Sequence, residues 1–493
     1  MSGKSDLVRL ARQSGVYALG NLGVKASGLL LAVYYLDPEY LLAAEYGRLA
    51  LLDALARFAL LVGGLGLPTG LIRYAARNQM EGRRETWVST AWLISLGLGA
   101  AVAVLGWLGA PLLAGWLLGD AARTTPVALM ALYVGMKVVA EVPFAYVRVE
   151  ERAGVFVAAV AVEAVLLVGG VAVLVGRWGM GLEGVLYAYV LSAAGVALPL
   201  SLYLLARSGF TLSPAVGRQL VVFGAPLVVA GLSSRFLNLG DRFIIAAMEG
   251  PEQVALYDWA SRLSGVVNML FVQGFQLSFT VLGLKAAGTG GALHRSAFRH
   301  FAALTGWAVL AIALFSVDLT RLVAEDSLYL QIEPLVLPVG LGYLFYGLYF
   351  VAVNTLYATG NTKRVAWTVF AASALNAALN VALIPVLGVI GAAVATLVAY
   401  VFLAWSTAQA AERASGTLGA PLDLPWSAVY QAVGVLVGLW LVGTMTADWP
   451  LLPRLAGRSA LVLAYVPALF AIGLYDRSDL RRGVEWARGL RRR

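Results

Sequence analysis

The sequence predicts an all-α integral membrane protein whose fourteen transmembrane helices form two parallel six-helix bundles around a central cavity, plus two extra helices. Of its 493 residues, 60% are hydrophobic and 13% are charged, and the mean hydropathy is +0.80. Soluble domains have about 45–50% apolar and about 25% charged residues, so the composition excludes a soluble enzyme, a disordered chain and a collagen-like protein. The helix count and the two bundles rest on two further observations, a series of apolar windows and an internal repeat.

Fourteen apolar windows follow one another along the chain, separated by short loops. Each is about 20 residues or longer, the length that an α-helix needs to cross a bilayer. The first window is too long for a signal peptide, and Asn21 and Lys25 interrupt it, so we assign it as a span. The windows lie at 14–36, 47–72, 87–110, 125–147, 154–176, 183–206, 219–247, 255–283, 298–319, 334–357, 365–386, 388–410, 428–447 and 457–475.

An internal repeat divides the chain into lobes. The small residues that begin span 6 recur at the same spacing at the beginning of span 12: Gly181, Gly184 and Ala188 match Gly388, Gly391 and Ala395. Parallel repeats are typical of transporters, in which the substrate path runs between the two halves. We therefore predict an N-terminal six-helix lobe at 1–210, a C-terminal six-helix lobe at 211–412, and two additional helices with a basic cytoplasmic tail at 413–493.

The distribution of basic residues predicts the orientation. Two thirds of the 36 Lys and Arg residues fall in the N-terminal segment, the even-numbered loops and the C-terminal tail, whereas only six fall in the odd-numbered loops. Cytoplasmic loops of membrane proteins carry the excess of Lys and Arg. The sequence therefore predicts a multi-pass membrane protein with both termini in the cytoplasm.

Few residues suggest catalytic chemistry. Cysteine is absent, and the two histidines, His294 and His300, are too few for a metal site of ordinary composition. The chain carries no complete phosphate-binding loop and no zinc-protease motif. We predict that the protein is not an enzyme and uses no cofactor or metal. Transport would then be driven by an ion gradient, the membrane potential or the substrate gradient.

Charged residues inside the spans are the candidate functional groups, because charge is costly in a bilayer and is retained there mostly for function. Three oppositely charged pairs have the i,i+4 spacing that allows a local ion pair on one helix or, alternatively, a role in substrate binding. These pairs are Asp53 with Arg57, Lys137 with Glu141, and Asp258 with Arg262.

Lys25 and Arg235 differ from these pairs, because neither has a counter-ion at helical spacing. They lie at equivalent points of the two repeats, and an anionic ligand between them would balance both charges. Asn21 and Asn238 lie on the same two spans and are candidate substrate-binding amides. Glu163 is an isolated carboxylate in span 5, and we expect it either to pair with Lys25 or Arg235 or to couple transport to a proton or cation.

Several segments resemble bacterial polysaccharide (O-antigen type) flippases of the multidrug/oligosaccharidyl-lipid/polysaccharide (MOP) exporter superfamily. The run from Asn376 to Thr396 resembles the span 11–12 pattern of that family. Further similar segments are Phe223-Gly-Ala-Pro226, Asp241-Arg-Phe-Ile-Ile, Ala255-Leu-Tyr257, Tyr46-Gly47-Arg48 and Gly64-Leu-Gly66-Leu. The resemblance implies a polyprenyl-diphosphate-linked oligosaccharide as substrate, moved from the inner to the outer leaflet by alternating access.

The resemblance also implies site residues and partners. In the related lipid II flippases, arginines on the first, second and eighth helices line the cavity. The same helices offer Lys25, Arg57 and Arg262 here, and span 7 offers Arg235. The expected partners are a lipid-linked anionic oligosaccharide, membrane lipid, and a polysaccharide polymerase or glycosyltransferase. A monomer is expected, with no nucleic acid bound.

Three alternatives remain open. A cation-coupled multidrug exporter of the same superfamily would use intramembrane carboxylates as its main charged sites. A lipid II flippase would use the same cationic cavity for a different headgroup. A polysaccharide polymerase or ligase would need a sizeable outer loop with catalytic groups, and the sequence has no such loop.

Overall fold

The chain is helical throughout the part that the computed structural model describes, namely residues 28, 30–76, 80, 84–286, 291–416 and 421–475. No β-strand occurs in these ranges. The first ten helices are α1 Ala32–Tyr35, α2 Ala43–Gly64, α3 Leu67–Ala76, α4 Arg84–Leu108, α5 Ala110–Leu118, α6 Thr124–Val149, α7 Ala153–Val171, α8 Gly181–Ser208, α9 Pro214–Leu239 and α10 Asp241–Glu249. The remaining helices are α11 Pro251–Val267, α12 Gln273–Ala286, α13 Ala292–Thr320, α14 Glu333–Ala358, α15 Thr362–Leu387, α16 Val389–Gly416, α17 Trp426–Thr444 and α18 Leu451–Ala471.

Eleven helical segments within the described ranges are long and apolar enough to cross a membrane, and the bent pair α2–α3 would make a twelfth. The first predicted window, 14–36, falls mostly outside these ranges. The eighth, 255–283, corresponds to α11 and α12 joined by the π-helix Asn268–Val272. The count of fourteen spans and their arrangement in two bundles therefore stay predictions.

Two compact units make up the chain. Unit 1 comprises Met1–Leu256 and Val323–Ser327, and unit 2 comprises Tyr257–Leu322 and Leu328–Arg493. Helices α9 and α10, which form predicted span 7, pack with unit 1. The lobes predicted at 1–210, 211–412 and 413–493 were defined by the sequence repeat, whereas the two units are defined by packing contacts. The predicted lobes therefore stay predictions.

Unit 1 has an aromatic and aliphatic core between α3, α4, α6, α8 and α9. Trp87, Trp92 and Tyr146 are buried in this core together with Leu204 and Leu220. The indole Nε1 of Trp92 donates a hydrogen bond to Ser201 Oγ at 3.0 Å, which joins α4 to α8. Buried polar groups between spans must find such partners, because the bilayer core offers no water.

The second predicted span is bent by 45° where α2 ends and α3 begins. Leu65 and Gly66 have φ values of 45° and 64°, in the left-handed region, so they interrupt the helix. Gly224 of α9 lies in the angle of the bend: a Cβ atom on Gly66 would lie 2.8 Å from the Gly224 Cα atom, and one on Gly224 would overlap the Leu65 carbonyl. Both glycines belong to segments that resemble the flippases, and close backbone packing explains why glycine stands at both positions.

Unit 2 is organised around α14, which is the most thoroughly buried of the membrane-length helices. Asn376 and Asn380 of α15 are buried, and Asn380 Nδ2 donates to the Asn376 carbonyl oxygen at 2.8 Å. Asn376 Nδ2 donates to Thr396 Oγ1 at 3.3 Å, and Thr396 also contacts the Tyr257 hydroxyl at 3.2 Å. These amides therefore connect α15, α16 and α11.

A buried ion triad joins two further helices of unit 2. Asp318 of α13 contacts Arg454 at 2.8 Å and Arg458 at 2.7 Å, and all three side chains are at most 9% exposed. The predicted window 457–475 contains Arg458 but not Arg454, whereas α18 begins at Leu451 and contains both. The window began too late because Arg454 lowered the local hydropathy.

Candidate functional site

The candidate site is a cluster of charged and phenolic side chains within the spans of unit 1, which we call the intramembrane cluster. It is built by α2, α6, α7, α8 and α9. Its members are Asp53, Arg57, Tyr133, Lys137, Glu141, Glu163, Tyr189 and Arg235.

An ion pair between neighbouring helices stands at one side of this cluster. Lys137 Nζ of α6 lies 2.6 Å from Glu163 Oε1 of α7, and the two side chains are 22% and 14% exposed. The i,i+4 spacing allowed Lys137 to pair with Glu141 on its own helix, but the ion pair that Lys137 makes is with Glu163. Glu163 was expected to pair with Lys25 or Arg235, and its actual partner is Lys137. Spacing along one helix cannot identify a partner on the next helix.

Glu141 lies one helical turn beyond Lys137 and makes no ion pair within the described ranges. Its carboxylate is packed against Gly64, where α2 ends, and any side chain at Gly64 would overlap it. Glu141 therefore has no ion-pair partner among the described residues, and it lines the same cavity as Lys137 and Arg148.

A cavity of about 330 Å³ connects these groups. Its polar wall consists of Lys137, Glu141, Glu163 and Arg148, and the rest of its lining is apolar: Pro68, Ala140, Phe144, Phe156 and Val160. No group of three or more His, Cys, Asp or Glu residues suited to a metal ion occurs in the part of the chain that the structure describes.

Arg235 is half-buried on α9 and makes no ion pair with any described residue. Arg57 is exposed on α2. The intramembrane cluster holds three basic and three acidic side chains, so it has no excess of positive charge. Among its basic residues, Arg235 differs because it is half-buried without an ion pair to a described residue.

The other predicted site residues are placed as follows. Asp53 accepts a hydrogen bond from the Tyr189 hydroxyl at 3.3 Å. The Asn238 amide donates to the Ser234 carbonyl oxygen at 2.6 Å, on its own helix. In unit 2, Arg262 pairs with Asp258 at 2.6 Å as predicted. Lys25 and Asn21 lie outside the described residues.

Comparisons with known proteins place the chain in a family. A family model described as "Polysaccharide biosynthesis protein" matches residues 10–279, more than half of the chain, and one described as "MatE" matches residues 226–382. A search of curated protein sequences gives no match.

Solved structures share the fold at low identity. The structure described as "Lipid II flippase MurJ, inward closed conformation" is 12% identical with a TM-score of 0.73, covering 93% of this chain and 99% of that one. An inward-facing multidrug resistance MATE family transporter of the MOP superfamily is 15% identical with a TM-score of 0.69, covering 82% and 99%. A MOP superfamily transporter from Pyrococcus furiosus, whose description notes a reversed polarity of the binding pocket, is 15% identical with a TM-score of 0.58, covering 84% and 95%.

The membrane-length helices, the intramembrane charges and these matches define a class, the multi-pass membrane transporters and flippases of the MOP superfamily. Within it, the chain belongs to the family of polysaccharide biosynthesis proteins. The superfamily inferred from the sequence segments is thereby confirmed, and the O-antigen type stays a prediction.

Proposed function

We propose that this protein is a flippase that moves a polyprenyl-diphosphate-linked oligosaccharide from the inner to the outer leaflet of the cytoplasmic membrane, by alternating access, for surface polysaccharide synthesis. The observation that carries the proposal is Arg235, a half-buried arginine on α9 that makes no ion pair with any described residue. An anionic ligand would balance its charge. The match to the polysaccharide biosynthesis family supports a diphosphate-linked sugar as that anion.

The chemistry of a diphosphate fits these side chains. Guanidinium groups donate paired hydrogen bonds to phosphate oxygens, and such charge-assisted bonds are stronger than neutral ones. Arg57 and Arg235 lie on different helices of unit 1, so a movement between α2 and α9 would change their separation and hence their hold on the ligand. Lys25 would add a third cation from the first predicted span, and Arg262 of unit 2 stays a substrate-binding prediction from the sequence.

We further propose that the cavity beside Glu141 couples transport to a proton or cation. Glu163 carries this role together with Lys137, because protonation of Glu163 would release the ammonium group. Glu141 is the second carboxylate that could receive the proton. The membrane potential or the substrate gradient is the alternative driving force.

A cation-coupled multidrug exporter is the second candidate, and the same cavity favours it, because an intramembrane carboxylate can bind a cationic drug or its coupling ion. A lipid II flippase is the third candidate, since MurJ shares the fold. The three differ in the charge and headgroup of what they move, so a transport assay with defined substrates distinguishes them.

The test is complementation of a flippase-deficient strain, with membrane levels checked by immunoblot. We expect Arg235→Ala and Lys25→Ala to abolish polysaccharide export. Arg235→Lys and Lys25→Arg should retain part of it, because each exchange keeps the positive charge but changes the hydrogen-bonding geometry. The matched control is Arg364→Ala, at an exposed position outside the intramembrane cluster.

Two results would contradict the proposal. If the Arg235→Ala and Lys25→Ala variants export polysaccharide normally, the cationic site is not used. If the wild-type protein instead confers resistance to cationic drugs, and Glu141→Gln removes this resistance, the protein is a multidrug exporter.

A further inference from the structure

A second cationic cavity lies in unit 1, away from the intramembrane cluster. It has a volume of about 650 Å³ and forms where the C-terminal end of α3 meets the first turns of α9. We call it the Arg73–Arg218 pocket. Its lining residues are Arg73, Tyr74, Ala215, Arg218, Gln219, Val222 and Phe223.

Aromatic rings hold Arg73 in place. Its guanidinium carbon lies 4.3 Å from the centre of the Phe223 ring and 5.6 Å from that of Tyr74. The Tyr74 ring in turn packs 4.6 Å from Trp87 in the core. Stacking uses the face of a guanidinium and leaves its N–H groups free to donate in the plane of the group. Arg73 is thus preorganised to bind an acceptor in the pocket.

No carboxylate of the described residues neutralises this pocket. Neither Arg73 nor Arg218 has an ion pair or a side-chain hydrogen bond to any residue that the structure describes, and no acidic residue is among the lining residues. Gln219 adds an amide that can donate a further hydrogen bond. Two forked cations and an amide around one cavity suit the several oxygens of a phosphate group better than a single carboxylate.

The surroundings of the pocket favour a phosphate group that is part of a lipid. Helix α9 is apolar and of membrane length, and Arg218 lies in its second turn, at the depth where headgroups would stand. Val222, which lines the pocket, is 65% exposed, and Val229, two helical turns further along the same face, is 70% exposed. A hydrocarbon chain attached to the phosphate could lie along this exposed face of α9.

We propose that Arg73 and Arg218 bind the phosphate group of an anionic membrane lipid, with its chain along α9. This site lies outside the intramembrane cluster, and the proposal does not depend on what the protein transports. The phosphate has two sources in a bacterial membrane, a bulk phospholipid such as phosphatidylglycerol, or a polyprenyl diphosphate. In the second case the pocket would capture the lipid from its leaflet before transport.

The experiment measures lipid binding to the purified full-length chain in neutral detergent by native mass spectrometry. Three probes are titrated separately: phosphatidylglycerol, undecaprenyl diphosphate, and diacylglycerol as the lipid without phosphate. The variants are Arg73→Gln, Arg218→Gln and the double substitution, with Arg73→Lys as the variant that keeps the charge.

Arg207→Gln is the matched control. Arg207 stacks on Tyr203 at 5.1 Å, in the last turn of α8, and does not line the pocket. The Arg207→Gln substitution removes the same charge and a similar stacking contact in the same unit. Because Arg218 is exposed, Arg218→Gln preserves the packing of α9 and tests the site even if Arg73→Gln lowers the folded yield.

We expect each glutamine substitution to weaken binding of a phosphate lipid about tenfold, the double variant to abolish it, and Arg73→Lys to be intermediate. A loss for phosphatidylglycerol alone would assign the site to bulk phospholipid, and a loss for undecaprenyl diphosphate would assign it to the polyprenyl lipid. Wild-type binding of both lipids by the double variant would overturn the proposal. An equal loss in Arg207→Gln, or an equal loss for diacylglycerol, would also overturn it.

Discussion

At the scale of single residues, intramembrane charges in this protein find partners across helices as well as along them. Asp258 and Arg262 pair on one helix, whereas Lys137 pairs with Glu163 of the next helix. Asp318 of α13 likewise holds two arginines of α18. Each contact removes the large cost of a lone charge in a medium of low dielectric constant. Only the contacts within one helix are encoded in sequence spacing.

The Lys137–Glu163 pair yields a prediction about stability and coupling. Lys137→Met or Glu163→Gln leaves one buried charge without its partner, and we expect each to lower the free energy of unfolding by about 3–5 kcal/mol. The double variant should recover most of this loss. Unfolding of the purified protein in detergent measures the stability of the single and double variants. The control is Asp120→Asn, in the exposed Asp120–Arg123 pair, which should change the stability little.

Gradient-driven transport separates the two roles of Glu163. If Glu163 couples transport to a proton or cation, the double variant regains stability but still fails to transport against a gradient. If the pair is only structural, the double variant regains transport as well. Single variants with unchanged stability and unchanged transport would contradict both roles.

At the scale of helices, the bend between α2 and α3 shows how small residues position the site. The left-handed Leu65 and Gly66 end α2, and Gly64, the last residue of α2, packs against the Glu141 carboxylate. Gly224 allows α9, which carries Arg235, to approach the bend at backbone distance. Three glycines therefore bring α2, α6 and α9 together at the charges.

This packing predicts the effect of a single methyl group. In Gly224→Ala the new Cβ atom would overlap the Leu65 carbonyl, which is backbone and cannot rotate away. Overpacking of this kind costs about 1–3 kcal/mol, and we expect a lower melting temperature and reduced transport. Gly97→Ala is the matched control, because a Cβ atom there meets nothing within 4 Å. Equal melting temperatures for the two variants would contradict the close approach.

The sequence predicts the helices well and the site only in part. Long apolar windows indicate spans because the thickness of the bilayer fixes their length. The segments that resemble the flippases include Gly66 and Gly224, but sequence spacing does not show that these two glycines pack against each other. The break at Gly240, which divides predicted span 7 into α9 and α10, comes directly before the charged residues Asp241 and Arg242, and the predicted window ran through all three. The cavity beside Glu141 depends on the packing of α6 against α7, and the Arg73–Arg218 pocket on the bend, so neither could be predicted from one helix at a time.

At the scale of the whole molecule, the proposed direction of transport requires a defined orientation. Basic residues recur loop after loop on one predicted side, which includes Arg73, Arg207 and Arg218. The observed helix bounds place basic residues of both predicted sides inside helices, these three on one side and Arg454 and Arg458 on the other. The orientation therefore stays a prediction from the sequence.

The absence of cysteine makes this orientation directly testable, since any introduced cysteine is the only thiol in the protein. We expect a membrane-impermeant maleimide to label Ala122→Cys, in the exposed loop between α5 and α6, in intact spheroplasts. Thr362→Cys, at the exposed beginning of α15, and Ser478→Cys, in the basic tail, should react only after the membrane is permeabilised. Labelling of Thr362→Cys but not Ala122→Cys in intact spheroplasts would reverse the orientation. Opposite results for Thr362→Cys and Ser478→Cys would mean an odd number of spans between them, which the fourteen-span arrangement does not allow.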